Sequence, residues 1–426
     1  MSARFGLMLV LVAAVLFLVL GAGNARPGTE NGSVTITMVA NAPSHPAFDV
    51  LIPNFERAYP NIKVDITYTP SSAVEYQLES IELAAGNAPD LLAVSPGCGT
   101  PISVCKLAKS GYLAPMVKKP WVRRSVPLLI SMAKYGRGLF GFEPIASPEG
   151  VFTNDELFRK LRLKVPQTFA QLRDVCAKAK ANGTAAVIFG GGDPVSVAYL
   201  TTDLAVATVY GRDKNWPAEL RAGKVSFEGT PGWHRALQEF IDMNTAGCFP
   251  PGITGTSLNG AAAEFAQGQG LMLIDTSSFK GLIDAGKPLF DYSFHPLAGA
   301  TDPNQTSTFV DPGAAVSVNA HASPQAQKAA QTFVDFIARP RENELYAQVG
   351  GGLTQYELLK GRLPGFMSAF ASVVKDKAYV VNPFKTWWNA SVALALEQNG
   401  IGLITGQTTI DDVLNAMDAA WKQGPA

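Results

Sequence analysis

The stretch EGVFTNDELFRKLRLKVPQTFAQL, residues 149–172, decides how the chain is read. Gly150 to Thr153 read as a strand, Asn154 supplies an N-cap with Glu156 in the first turn, and a short helix runs to Leu161. Val165 and Pro166 break that helix, and Thr168 caps a second one. Phe169, Leu172, Val175 and Cys176 recur there at three- and four-residue spacing. A strand that hands over to two capped helices is the opening of an α/β unit.

Upstream, residues 34–39 alternate as a strand, 48–59 read as a helix, 62–68 as a strand, 73–85 as a helix and 91–94 as an apolar strand. This β-α-β-α-β order predicts a parallel or mixed sheet covered on both faces. Open α/β sheets bind ligands at the C-terminal ends of their strands, which places 41–44 and 95–97 at the mouth of a cleft. Downstream, a short strand at 185–189 runs into Gly190-Gly191-Gly192-Asp193-Pro194. No Lys-Ser/Thr follows, so the glycines predict a tight exit loop rather than a phosphate cradle. Helices at 197–210 and 232–246 carry Tyr199 and Trp233, both expected to pack.

A chain of 426 residues exceeds what one core holds, which grows to roughly 250–300 residues. Thirty-five basic residues balance thirty-five acidic ones, so no basic excess points to nucleic acid. Arg4, the apolar run 5–20 and the small residues 23–25 read as an export signal over residues 1–25, with an uncleaved anchor as the rival reading. No cysteine precedes Cys98, so no N-terminal lipid anchor is expected. Four cysteines in an exported chain allow two disulfides. Cys98 and Cys105 bracket a short Gly- and Pro-containing loop, which favours local pairing. Cys176 and Cys248 are left either as a second bridge or as buried thiols. The spacings match no zinc or redox motif, and no cofactor is expected.

The opening stretch resembles the phrase "YNKDLFKKAGL–x–P–x–TWDEL" of the family 1 extracellular solute-binding proteins, the sugar-binding receptors of ABC importers. FERAYPNIKVD (55–65), LAAGNAPDLLAVSP (83–96), GYLAPM (111–116) and AAAEFAQGQGLMLIDTSSFKG (261–281) resemble further phrases of that family, in its order. The closing helices, including Trp387-Trp388, resemble it as well. The resemblance implies an α/β, two-lobed periplasmic-binding-protein fold of the class II kind, its lobes built from non-contiguous segments joined by hinge crossings. The first lobe is expected to hold 33–146 plus 271–316, and the second 147–270 plus 317–426.

It also implies an extracytoplasmic, monomeric receptor that captures a sugar or oligosaccharide and delivers it to ABC permease subunits by hinge closure. The ligand-binding set carried over is Asn41, Ser44, Ser95, Ser147, Asp193, Ser277, Ser278, Phe279, Asp311, Trp387 and Trp388. Within it Trp387-Trp388 is the expected stacking platform, since sugar sites need flat aromatic faces and a few fixed polar groups. A neutral ligand is expected, because only Asp193 and Asp311 supply carboxylates and no predicted loop exit carries Arg. Two alternatives stay open. One is a secreted carbohydrate-active enzyme with Glu143 and Glu149 as its candidate carboxylate pair, against which both read more readily as solvated loop acids. The other is a ligand sensor not coupled to transport. Neither GxSxG nor HExxH occurs, and the reading is of a binder, not an enzyme.

Overall fold

A computed structural model describes residues 32–70, 72–302, 306–354 and 362–425; the expected export signal at 1–25 lies outside the described residues. The strands are β1 (Val34–Asn41), β2 (Ile62–Thr69), β3 (Leu91–Val94), β4 (Lys134–Tyr135), β5 (Gly138–Leu139), β6 (Gly141–Phe142), β7 (Ala146–Asn154), β8 (Ala185–Ile188), β9 (Gly270–Thr276), β10 (Tyr292–His295), β11 (Thr308–Pro312), β12 (Ala315–Val318) and β13 (Tyr379–Val381). The first sheet has the order β2-β1-β3-β12-β6, with β1 parallel to both β2 and β3 and with β12 antiparallel to its neighbours. The second has the order β13-β11-β7-β9-β8, and β10 adds to β7 beside β11. Each sheet carries helices on both faces and its own apolar core, so the molecule has two lobes.

The opening stretch folds as its residues dictate. Asn154 accepts a hydrogen bond from the Leu157 amide at 2.9 Å, and Thr168 accepts one from the Gln171 amide at 3.3 Å. Phe169, Leu172, Val175 and Cys176 are the buried face of the helix Phe169–Ala181. All nine residues of β7 are buried, because sheet neighbours flank it and layers cover both its faces. Gly150 is required within it: a Cβ there would lie 2.4 Å from the His295 carbonyl oxygen of β10.

The expected division of the chain needs correcting at two places. The stretch from 271 to about 312, assigned to the first lobe, supplies β9, β10 and β11 of the second sheet; β9 pairs with β7 from Glu149↔Thr276 to Thr153↔Met272 and with β8 on its other edge, and β10 and β11 both pair with β7. The stretch from 317 to about 350, assigned to the second lobe, belongs with the first. There Phe333 of helix Pro324–Ile337 packs on Phe48 and Phe55, and Tyr346 of helix Pro340–Gly350 packs on Phe48. The physical reason is that β9 and β12 are short and buried throughout, so their composition suits the interior of either sheet. Only the register chooses between them.

The chain therefore crosses between sheets after β6, after β11 and after helix Pro340–Gly350. The crossings run side by side: the Gly313 amide donates to the Ile145 carbonyl, and Ala146 and Leu353 exchange backbone bonds of 2.8 Å. Two disulfides, Cys98–Cys105 and Cys176–Cys248, involve all four cysteines. The second ties helix Phe169–Ala181 to the segment that follows helix Pro231–Thr245.

Candidate functional site: the cleft between the sheets

Strand register builds the floor. Ser147 and Glu149 are two apart on β7 and so point to one face. Asp311 stands opposite Ser147 on β11, and Thr276 opposite Glu149 on β9, which puts all four on that same face. They line a cavity of about 780 Å3, in the ~300–1,000 Å3 range of sites that enclose a small ligand.

The first-lobe wall comes from strand ends. Asn41 ends β1 and Ser44 follows in a short turn, its hydroxyl donating to the Asn41 carbonyl at 2.7 Å. The Asn41 amide donates to Glu75 Oε2 at 2.9 Å, and Tyr76 follows on the same helix, Ser72–Ala85. The second-lobe wall comes from the glycine loop. A Cβ on Gly192 would lie 2.9 Å from the Thr256 carbonyl oxygen, so the glycine lets two backbones meet. Asp193 then accepts from the Leu258 amide at 2.6 Å. Tyr199, on helix Pro194–Ala205, donates to Asp311 Oδ2 at 2.8 Å. Its ring is held edge-on by Phe309 and Phe384.

The two walls touch. Asn259 of the second lobe donates to the Pro70 carbonyl at 2.8 Å. Lys385 reaches from the second lobe to Ser95 Oγ of the first at 3.2 Å, with its Nζ 3.6 Å from Asp311 Oδ1. The loop of the Cys98–Cys105 bridge abuts the same segment, and a Cβ on Gly99 would overlap the Phe384 carbonyl.

Seven of the expected residues line the cavity: Asn41, Ser44, Ser147, Asp193, Ser278, Phe279 and Asp311. Ser95 and Ser277 are fully buried and outside the lining. The tryptophans correct the expected platform. Trp387 is 3% exposed in the second-lobe core, and Trp388 stacks on Trp421 at 4.0 Å while its indole N–H donates to the Trp421 carbonyl. Indoles at that place have better apolar partners in the closing helices than in the cleft. The expected loop acids are corrected too: Glu143 and Glu149 are both buried, and only Glu149 lines the cavity.

Sequence reasoning missed Glu75, Tyr76, Asp275, Lys385 and Glu397, and took Tyr199 for packing alone; all six line the cavity. For Glu75 and Tyr76 a signal exists, since they occupy the first turns of the helix that follows β2, at a strand's C-terminal end. Burial pushes Glu75 up to about 8, partly opposed by the Asn41 hydrogen bond and the charge of Lys385. Burial also holds Glu149 well above the usual carboxylate range, with Asp275, Asp203 and Asp311 adding to the effect. Among the described residues no group of three His, Cys, Asp or Glu is arranged to hold a metal ion.

The sequence profile of the bacterial extracellular solute-binding proteins matches residues 41–344. The chain belongs to that family. A curated relative, the multiple sugar-binding protein of Streptococcus mutans, is 22% identical over 313 residues, 71% of this chain and 70% of its own. Solved structures of similar fold include maltose-bound MalE3 of T. maritima, with 16% identity, a TM-score of 0.76, and 92% of this chain and 100% of that one covered. A sugar transporter protein of Bacillus licheniformis in complex with stachyose has 19% identity and a TM-score of 0.71, over 92% and 100% of the two chains. The fold is the two-lobed one of these binding proteins. The family is extracellular, and among the described residues no helix is long and apolar enough to cross a membrane.

Proposed function

We propose that this protein captures a saccharide between its lobes and, once closed on it, presents it to the membrane subunits of an ABC importer. The observation that carries this reading is the cavity itself, where polar groups from both sheets converge beside the aromatic faces of Tyr76, Tyr199 and Phe279. Such faces suit the C–H side of a sugar ring, and the carboxylates and amides suit its hydroxyls. Raffinose, stachyose and maltose are bound by proteins of similar fold, which supports a sugar as ligand here. The three adjacent crossings are the natural place for closure, since few backbone torsions need to change there. We read the protein as a monomeric binder without enzymatic turnover, because Glu143 stands off the cavity and leaves the sequence-derived carboxylate pair incomplete. Export by the N-terminal signal completes the proposal.

A thermal-shift screen against neutral and amine-bearing mono- to tetrasaccharides tests it. At least one should raise the unfolding temperature, since a ligand at a hundredfold its Kd adds about 2.7 kcal/mol. A flat response across the panel, or release of shorter sugars from a bound one, overturns it.

A further inference from the structure

Six carboxylates line the cavity, on Glu75, Glu149, Asp193, Asp275, Asp311 and Glu397, against one cation, Lys385, among the lining residues described. The whole chain has no net charge, so this excess is local. Several of these acids are served on one oxygen, although Glu75 Oε1 and Asp311 Oδ1 are left without a hydrogen bond among the described residues. Glu75 accepts from Asn41, Asp193 from the Leu258 amide, Asp275 from the Thr276 amide, and Asp311 from Tyr199 with Lys385 beside it. Glu149 is not served in this way. It is 1% exposed on the floor, and its Oε2 has no hydrogen-bond partner among the described residues. Two residues away on the same face, Ser147 Oγ is likewise buried and unpartnered.

Resting on the carbohydrate reading above, we propose that the ligand is a saccharide bearing a protonated amine, whose ammonium group sits on Glu149 with Ser147 beside it. A buried carboxylate without a cation costs several kcal/mol if it stays ionised. A neutral sugar closing the cleft would leave that cost in place or require the acids to stay protonated. An ammonium group supplies the charge and up to three hydrogen bonds at once. Burial raises Glu149 and Glu397, as expected of acids that lack a counter-ion. The lining provides no set of three ligands for a metal cation, so the compensating charge is assigned to an organic ligand.

Calorimetry on the purified protein with three matched probes tests this: β-1,4-linked glucosamine trimer, its N-acetylated form and cellotriose. They carry an ammonium, an acetamide or a hydroxyl at the same ring position. The glucosamine trimer should bind at least about tenfold tighter than cellotriose, and Glu149→Gln should bring that ratio to within about threefold of one. Should Glu149→Gln fail to fold, Glu397→Gln on the partly exposed wall should lower the ratio severalfold. Equal or tighter binding of cellotriose or the acetylated trimer overturns the ammonium assignment and leaves the carbohydrate reading standing. Binding of none of the three, nor of raffinose, maltose or stachyose, overturns both. A preference for the glucosamine trimer that survives both substitutions removes Glu149 from the role.

Discussion

Around Trp387 the rings of Phe227, Trp233 and Phe384 lie edge-on or tilted at centroid distances of 5.6, 6.4 and 4.9 Å, whereas around Glu149 equally buried side chains face a cavity. Both regions belong to the second lobe, and both are almost closed to solvent. In the first, apolar surface is matched by apolar surface, and the aromatic faces are already covered. In the second, polar atoms are enclosed and several have no partner, a condition that natural cores rarely tolerate without a reason. Burial by itself therefore does not separate core from site. What separates them is whether the buried side chain packs against other side chains or faces open space.

The contrast can be broken most sharply at the aromatic cluster. Trp387→Ala should lower stability by ~3–5 kcal/mol, read by denaturant unfolding, while ligand affinity of the folded protein stays within about twofold. Loss of affinity without loss of stability would return Trp387 to the cleft and dissolve the distinction.

The acid cluster makes the opposite prediction for pH. Glu75 and Asp275 are pushed up to about 8 and Asp203 to about 7, in each case mainly by burial. A carboxyl raised in this way holds its proton in the folded state where the unfolded chain has lost it. Its contribution to stability is full below about pH 4 and is lost as pH rises through 7 to 8. The ligand-free protein should thus lose on the order of a few kcal/mol between pH 5 and pH 8, measured by urea unfolding at each pH. A profile that rises over that interval would show that these acids are better compensated than their surroundings indicate.

At the rim the expected effect is smaller. Asn259→Ala removes the bond to the Pro70 carbonyl and should weaken ligand binding by ~0.5–1.5 kcal/mol, with a larger radius of gyration in solution as the lobes part. An unchanged radius and affinity would mean that the crossings alone hold the lobes together. Smallest is Arg162→Gly, just after helix Asp155–Lys160, where Arg162 has φ of 55°. Left-handed backbone costs an L-residue roughly 1–2 kcal/mol and glycine gives part of that back as chain entropy. A gain of ~0.5 kcal/mol in unfolding free energy, with affinity untouched, would confine this strain to the scaffold.

Local rules made the opening stretch legible. Asn154 and Thr168 cap because a side-chain oxygen so close in sequence to an unpaired amide needs no tertiary help, and the Phe169–Cys176 stripe follows from helical period. The glycine loop before Asp193 and the polar groups at the end of β1 were readable for the same reason. The tryptophan pair was misjudged because an aromatic face looks the same in sequence whether a sugar or Trp421 covers it. Glu149 was misjudged because a carboxylate six residues from another in a Gly-Pro-rich stretch carries no mark of burial.

By itself the sequence determined the α/β class, the caps and the position of a cleft at strand ends, since each of these follows from contacts within one or two elements; the two lobes followed from chain length and family resemblance instead. The tertiary structure decided which sheet received β9 and β12, which aromatics faced the cavity, and that acids scattered from Glu75 to Glu397 meet in one place. Those outcomes depend on register and on pairings between residues more than a hundred positions apart, and nothing local in the chain encodes a distance of that kind.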